Sequence, residues 1–173
     1  LLESMLLTQF ATFVLVLARI GALVATAPIF GTKAAPMQAR ALLAIAMTLL
    51  VTPLYSSQTP VDVGNMLAFC KFVLGEAILG LLLGLGVTIL LSGVQLTGQI
   101  VAQLGGTALA EGFDSMVEEN LPVFSQFFYF VTLAMFVLLD GHRLLIEALL
   151  DTYVWMPPGK GALGESFVTA FTM

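Results

Sequence analysis

Six bases and eleven acids are all the charge that 173 residues carry, and a few of them stand where charge is costly. Arg19 lies inside the apolar run Met5 to Phe30, more than ten residues from either end. At the centre of a spanning helix an arginine costs at least about 2.5–3.5 kcal/mol on insertion scales. It therefore calls for a buried partner or a hydrated face, with Glu76 and other acids as candidates. Glu76 lies deep in a later apolar stretch and needs a partner as well. Lys71 is five residues before it, so the two do not stack on one helical face. Arg143 joins Arg19 and Glu76 as a buried, structural charge. Its spacing to Asp140 and Glu147, three and four residues away, also suits local helix support. His142 is the single histidine and Cys70 the single cysteine. They are far apart in sequence, so neither makes a metal site, and Cys70 reads as a small buried hydrophobe. There is no GxSxG, HExxH, Walker A or dinucleotide fingerprint, and no nucleophile beside a base. These residues imply no catalysis, no metal and no cofactor.

Two further groups could act on a passing molecule. Thr88, Ser92, Gln95, Gln99 and Gln103 follow one another at steps of 4, 3, 4 and 4. They share one helical face, which must meet water or other polar helices. Just after it, Glu111, Asp114, Glu118 and Glu119 place four acids and no base in one short segment.

The elements that must position these residues are helices in an apolar setting. Hydrophobic residues make up 59% and charged residues 10%, against about 25% charged in soluble domains. The mean hydropathy is +1.03. A soluble enzyme, a disordered chain and a nucleic-acid binder are excluded, the last also by the acidic balance. The expected fold class is all-α, a multi-helix integral membrane protein with long, broken helices and hairpins, forming one domain over residues 1–173. Glu3 and the lack of a basic leader make the first apolar run a retained segment rather than a cleaved signal.

The runs are irregular. Met5 to Phe30 is long enough to span and is closed by Pro28 and Gly31. Ala41 to Leu54 is only 14 residues, ends at Pro53, and is short for a span of about 20. Tyr55 to Asn65 reads as a loop. Met66 to Gly106 is 41 proline-free residues, which as one helix would reach roughly 60 Å, so it must break at a glycine or leave the bilayer. Gly75, Gly80, Gly84 and Gly98 crowd this stretch, and Gly80 with Gly84 forms a small-xxx-small pair for close helix packing. Val123 to Leu139 is aromatic-rich. Asp140-Gly141-His142-Arg143 interrupts it, an amphipathic helix resumes from Leu144 to Trp155, and Pro157-Pro158-Gly159 ends that helix. Gly164 to Met173 begins another element. Lys33 and Arg40 in one connection without acids favour its placement on the cytoplasmic side.

Taken in order, Arg19-Ile-Gly21, Ala-Pro28-Ile-Phe-Gly31, Pro36 and Arg40 resemble the opening of the flagellar biosynthesis FliR family. So do Gly75-Glu76 with Gly80 and Gly84, Gly98-Gln-Ile-Val-Ala-Gln103-Leu-Gly105, and Asp140-Gly141-His142 followed by Leu-Ile-Glu-Ala-Leu-Leu-Asp-Thr-Tyr and Pro158-Gly159. The order and spacing hold along nearly all of the chain. The family has a further C-terminal helical hairpin, which is expected to be absent here.

The resemblance implies a structural, pore-forming subunit of the type III protein export gate in the bacterial inner membrane, at the flagellar basal body. Its partners would be FliP-like and FliQ-like export-gate subunits, an FlhB-like switch protein, membrane lipid and translocated unfolded proteins, with no nucleic acid. Gln95, Gln99 and Gln103 would face the pore. Thr107, Glu111, Phe113, Asp114, Met116, Glu118 and Glu119 would lie in the plug loop, although Ser115 follows Asp114 where the family has Asp-Pro. Two alternatives stay open: the SctT-like homologous subunit of a virulence injectisome, and a fragment of a secondary transporter or channel, which intramembrane charges and broken helices would suit.

Overall fold

In a computed structural model of the chain, residues 2–28, 36–55, 66–104 and 123–159 are described. Among them every regular element is a helix: α1 (Leu2–Thr26), α2 (Met37–Tyr55), α3 (Met66–Leu104), α4 (Val123–Leu138) and α5 (Gly141–Trp155). The chain is all-α and apolar. Three helices, Leu6–Thr26, Met37–Tyr55 and Met66–Leu104, are long and apolar enough to cross a membrane.

The helices group into two compact units. One holds α1, α2, α3 as far as Leu85 and α5 from Leu145. The other holds α3 from Gly86, then α4 and the first turn of α5. In the first unit α1 is the hub. Leu15, Val16, Ile20, Leu23 and Val24 are buried along it. α2 packs along it, and Phe69, Phe72 and Val73 of α3 pack against its Ala11 and Leu15. α1 ends where Pro28 restricts the residue before it, with the Ala27 amide closing on Leu23 O at 2.8 Å.

α2 differs from its sequence reading. It is a 19-residue helix rather than a 14-residue piece, and Pro53 lies inside it. Pro53 has no amide to give to the carbonyl of Leu49, four residues back, so the helix is one bond short in its last turns. The turn at Met37–Arg40, outside the apolar run, and Tyr55 supply the rest of the length. Thr48 and Thr52 fold their hydroxyls back onto Ala44 O (2.6 Å) and Thr48 O (2.7 Å), which hides two polar groups in the helix itself. α3 is helical throughout its 39 residues, so no glycine breaks it.

Between α4 and α5 the helix is interrupted at one residue. Asp140 has φ 55°, a left-handed conformation that aspartate tolerates better than most side chains. Its amide closes α4 on Val137 O (3.1 Å), and its carbonyl accepts from Arg143 (2.8 Å) and Leu144 (3.1 Å) to open α5. α5 thus starts at Gly141, earlier than the apolar pattern indicates. Asp140→Gly should leave stability within a few tenths of a kcal/mol, whereas Asp140→Val should cost about 1–2 kcal/mol. Thermal melting of the two purified variants checks this order.

Candidate functional site

Among the described residues, the first unit brings a buried cation and a buried anion together. Arg19 and Glu76, 57 residues apart, are both fully buried and paired. The Arg19 Nε donates to Glu76 Oε2 at 2.6 Å. Nη1 donates to Thr152 Oγ1 and Nη2 to the carbonyl of Met156, each at 3.1 Å. Glu76 Oε1 accepts the amide of Gly159 at 3.2 Å. The guanidinium carbon lies 4.2 Å from the centre of the Tyr153 ring, a cation–π distance. Each nitrogen of the cation and both oxygens of the anion are thereby used. That is the condition under which a buried pair can exist.

Three helices position these groups. Arg19 is on the buried face of α1. Gly80 and Gly84 of α3 let that helix come against α1: a Cβ on Gly80 would overlap the Arg19 carbonyl, and one on Gly84 the Thr26 hydroxyl. Glu76, one turn before Gly80, is thus delivered to Arg19. α5 lays Thr152 and Tyr153 alongside. The Tyr153 hydroxyl donates to Val16 O at 3.4 Å, and its ring stacks, tilted by 31°, with Tyr55 at 5.3 Å. Burial lifts the Tyr153 phenol above its ordinary range, so it stays a neutral donor. Thr152 donates onward to Leu149 O at 2.6 Å. At the end of α5 the arginine acts on the helix dipole as a terminal cation does.

The other residues expected to be functional fall elsewhere. Arg143 is exposed, not buried: it lies on the first turn of α5, where its amide closes on Asp140 O, on a face that leaves it accessible. Cys70 is exposed too, because it lies on α3 off the face that packs its neighbours Phe69 and Phe72 against α1. Gly75 and Gly98 are buried in α3. In the second unit Gln95 and Gln99 are half-buried and Gln103 is exposed, and Ser125 of α4 donates to Gln95 O at 3.0 Å. Thr107, Glu111, Phe113, Asp114, Met116, Glu118 and Glu119 lie outside the described residues. Thr152, Tyr153, the Met156 carbonyl and the Gly159 amide were not expected in the site. Two of the four are backbone groups that no side-chain pattern announces.

Most large apolar side chains of α2 and α3 point outward. Leu42, Leu50, Leu67, Ile89 and Leu90 are all at least two-thirds exposed. A surface of that kind needs lipid or neighbouring protein over it.

A family model for bacterial export proteins, family 1, matches residues 10–173. The flagellar biosynthetic protein FliR of Pectobacterium carotovorum subsp. carotovorum is 29% identical over 140 residues, covering 80% of this chain and 52% of the relative. The protein of the same name from Escherichia coli (strain K12) is 29% identical over 161 residues, covering 90% and 59%. The secretion system apparatus protein SsaT of Salmonella typhimurium (strain LT2) is 22% identical over 120 residues, covering 69% and 46%. The chain spans a little over half the length of the flagellar relatives it matches.

Proposed function

Since the chain belongs to the bacterial export proteins, family 1, we propose that it is a non-catalytic, pore-forming subunit of a flagellar type III export gate in the bacterial inner membrane. The family match over nearly the whole chain carries this reading. The exposed apolar faces of α2 and α3 support it, because FliP-like and FliQ-like subunits would supply their surroundings together with lipid. An FlhB-like switch protein docks on the assembly. Unfolded flagellar proteins cross a pore lined partly by Gln95, Gln99 and Gln103. The segment from Thr107 to Asn120, directly after that polar face, obstructs the pore at rest. This chain breaks no bond in the process.

Deleting residues 108–119 in the assembled gate is expected to make the membrane leak small ions and dyes. Unchanged permeability in an assembled complex would sink the plug assignment. The likeness to SsaT favours a second reading, the same role in a virulence injectisome. Complementation decides between them: restored motility in a strain lacking its FliR-type subunit supports the flagellar gate, and restored effector secretion alone supports the injectisome. In the transporter alternative Arg19 and Glu76 would await a small molecule. Their hydrogen bonds to Thr152, Met156 and Gly159 speak against that use.

A further inference from the structure

We propose that the Arg19–Glu76 pair is the lock of a short strap, Met156 to Gly159. In this proposal the pair's role is to specify where the chain leaves α5, not to hold α1 to α3. Apart from the Met156 amide, which closes on Thr152 O at 2.8 Å, the strap has little of its own to stay in place. Pro157 and Pro158 have no amide to donate, and Gly159 has φ 84°, a conformation that glycine alone adopts freely. What fixes the strap is charge on both sides of the two prolines. The guanidinium takes the carbonyl of Met156 before them, and the carboxylate takes the amide of Gly159 after them. Between those two anchors Pro158 is fully buried.

The junction of α1 with α3, by contrast, has support that owes nothing to charge. Gly80 and Gly84 seat α3 against Arg19, Ala22, Leu23 and Thr26, and Ala11 and Leu15 pack with Phe69, Phe72 and Val73. Buried ion pairs replaced by apolar residues of similar size often leave stability unchanged. The pair is then retained for position, and the position it sets is that of the strap. This inference does not depend on what passes through the assembly.

The two roles separate in a double variant, Arg19→Met with Glu76→Met. The test uses the full-length protein in membrane vesicles, with Cys70→Ser to remove the exposed native thiol. A reporter cysteine is placed either in the strap, Pro158→Cys, or in α5 beneath it, Leu149→Cys, both at fully buried positions. With the pair intact both reporters should resist a membrane-permeant maleimide. In the double variant labelling at 158 should rise about tenfold or more, as loss of the anchoring hydrogen bonds raises local opening, while 149 stays protected. Protection at 158 in the double variant overturns the proposal. So does ready labelling at 158 with the pair intact. Equal labelling at 149 overturns it too, since the pair would then be holding the whole unit together.

Discussion

Arg19→Met with Glu76 left in place is expected to destabilise the first unit by about 3–5 kcal/mol, enough to abolish accumulation of the protein in membranes. The variant strands a fully buried carboxylate that keeps only the Gly159 amide. It also removes the donors to Thr152 and Met156. Glu76→Met strands the cation in the same way and should cost a similar amount. The double variant, with both charges gone, should recover most of the loss. The comparison of three variants is therefore a double-mutant cycle with a large coupling energy. Arg19→Lys should be intermediate to severe, because one ammonium cannot reproduce the planar fork that serves Glu76, Thr152 and Met156 together while lying over the Tyr153 ring. Steady-state protein level and thermal melting in detergent measure all four. A single variant as stable as the parent would mean that the pair is not desolvated in the membrane.

Much of this site is legible from the sequence, and the reason is cost. A charge in the middle of an apolar run announces itself, so Arg19 and Glu76 stand out before any fold is known. Their pairing does not, because nothing in one sequence joins positions 57 residues apart. The remaining partners are silent for a different reason. Tyr153 and Thr152 look like ordinary members of a helix, and the carbonyl of Met156 and the amide of Gly159 belong to any residue. The same limits explain the misplaced residues. Cys70 lies in an apolar run and Arg143 borders one, and linear context does not tell which face of a helix is covered. Helix length fails for a related reason. Counting apolar residues stops α2 at Pro53 and starts it after Arg40. A helix can open on a polar turn, and packing of its other residues can carry it past a proline despite the lost bond. In α3 the glycines read both as possible breaks and, at Gly80 and Gly84, as a pair for close helix packing; α3 does not break, and those two are the seats for α1.

Those seats carry the second large effect. Gly80→Ala is expected to destabilise the first unit by about 1–3 kcal/mol, even though alanine is the better helix former by about 1 kcal/mol. The clash wins because of what the new methyl meets. At Gly80 it runs into the backbone carbonyl of Arg19 and comes within 3.1 Å of the Ala22 Cβ, and a backbone in mid-helix cannot step aside. At Gly84 the first obstacle is the Thr26 hydroxyl, but the methyl also comes within 2.9 Å of the Thr26 Cβ and 3.1 Å of the backbone Leu23 carbonyl, which rotation of the hydroxyl does not move. Gly84→Ala should therefore cost about as much as Gly80→Ala, and valine at either position should be worse than alanine. Gly86 and Gly93 have open space where a Cβ would go, so alanine there should be neutral or stabilising by up to about 1 kcal/mol. Gly80→Ala carries a further consequence. The carbonyl it pushes on and the guanidinium that meets Glu76 belong to one residue, so parting the helices also draws out the 2.6 Å bond between Arg19 and Glu76. The cost of Gly80→Ala should accordingly shrink in the Arg19→Met, Glu76→Met background, where no charged contact is left to lose. Melting temperatures of Gly80→Ala with and without the pair measure that coupling. Equal losses in the two backgrounds would show that the glycine seat and the charged node are independent.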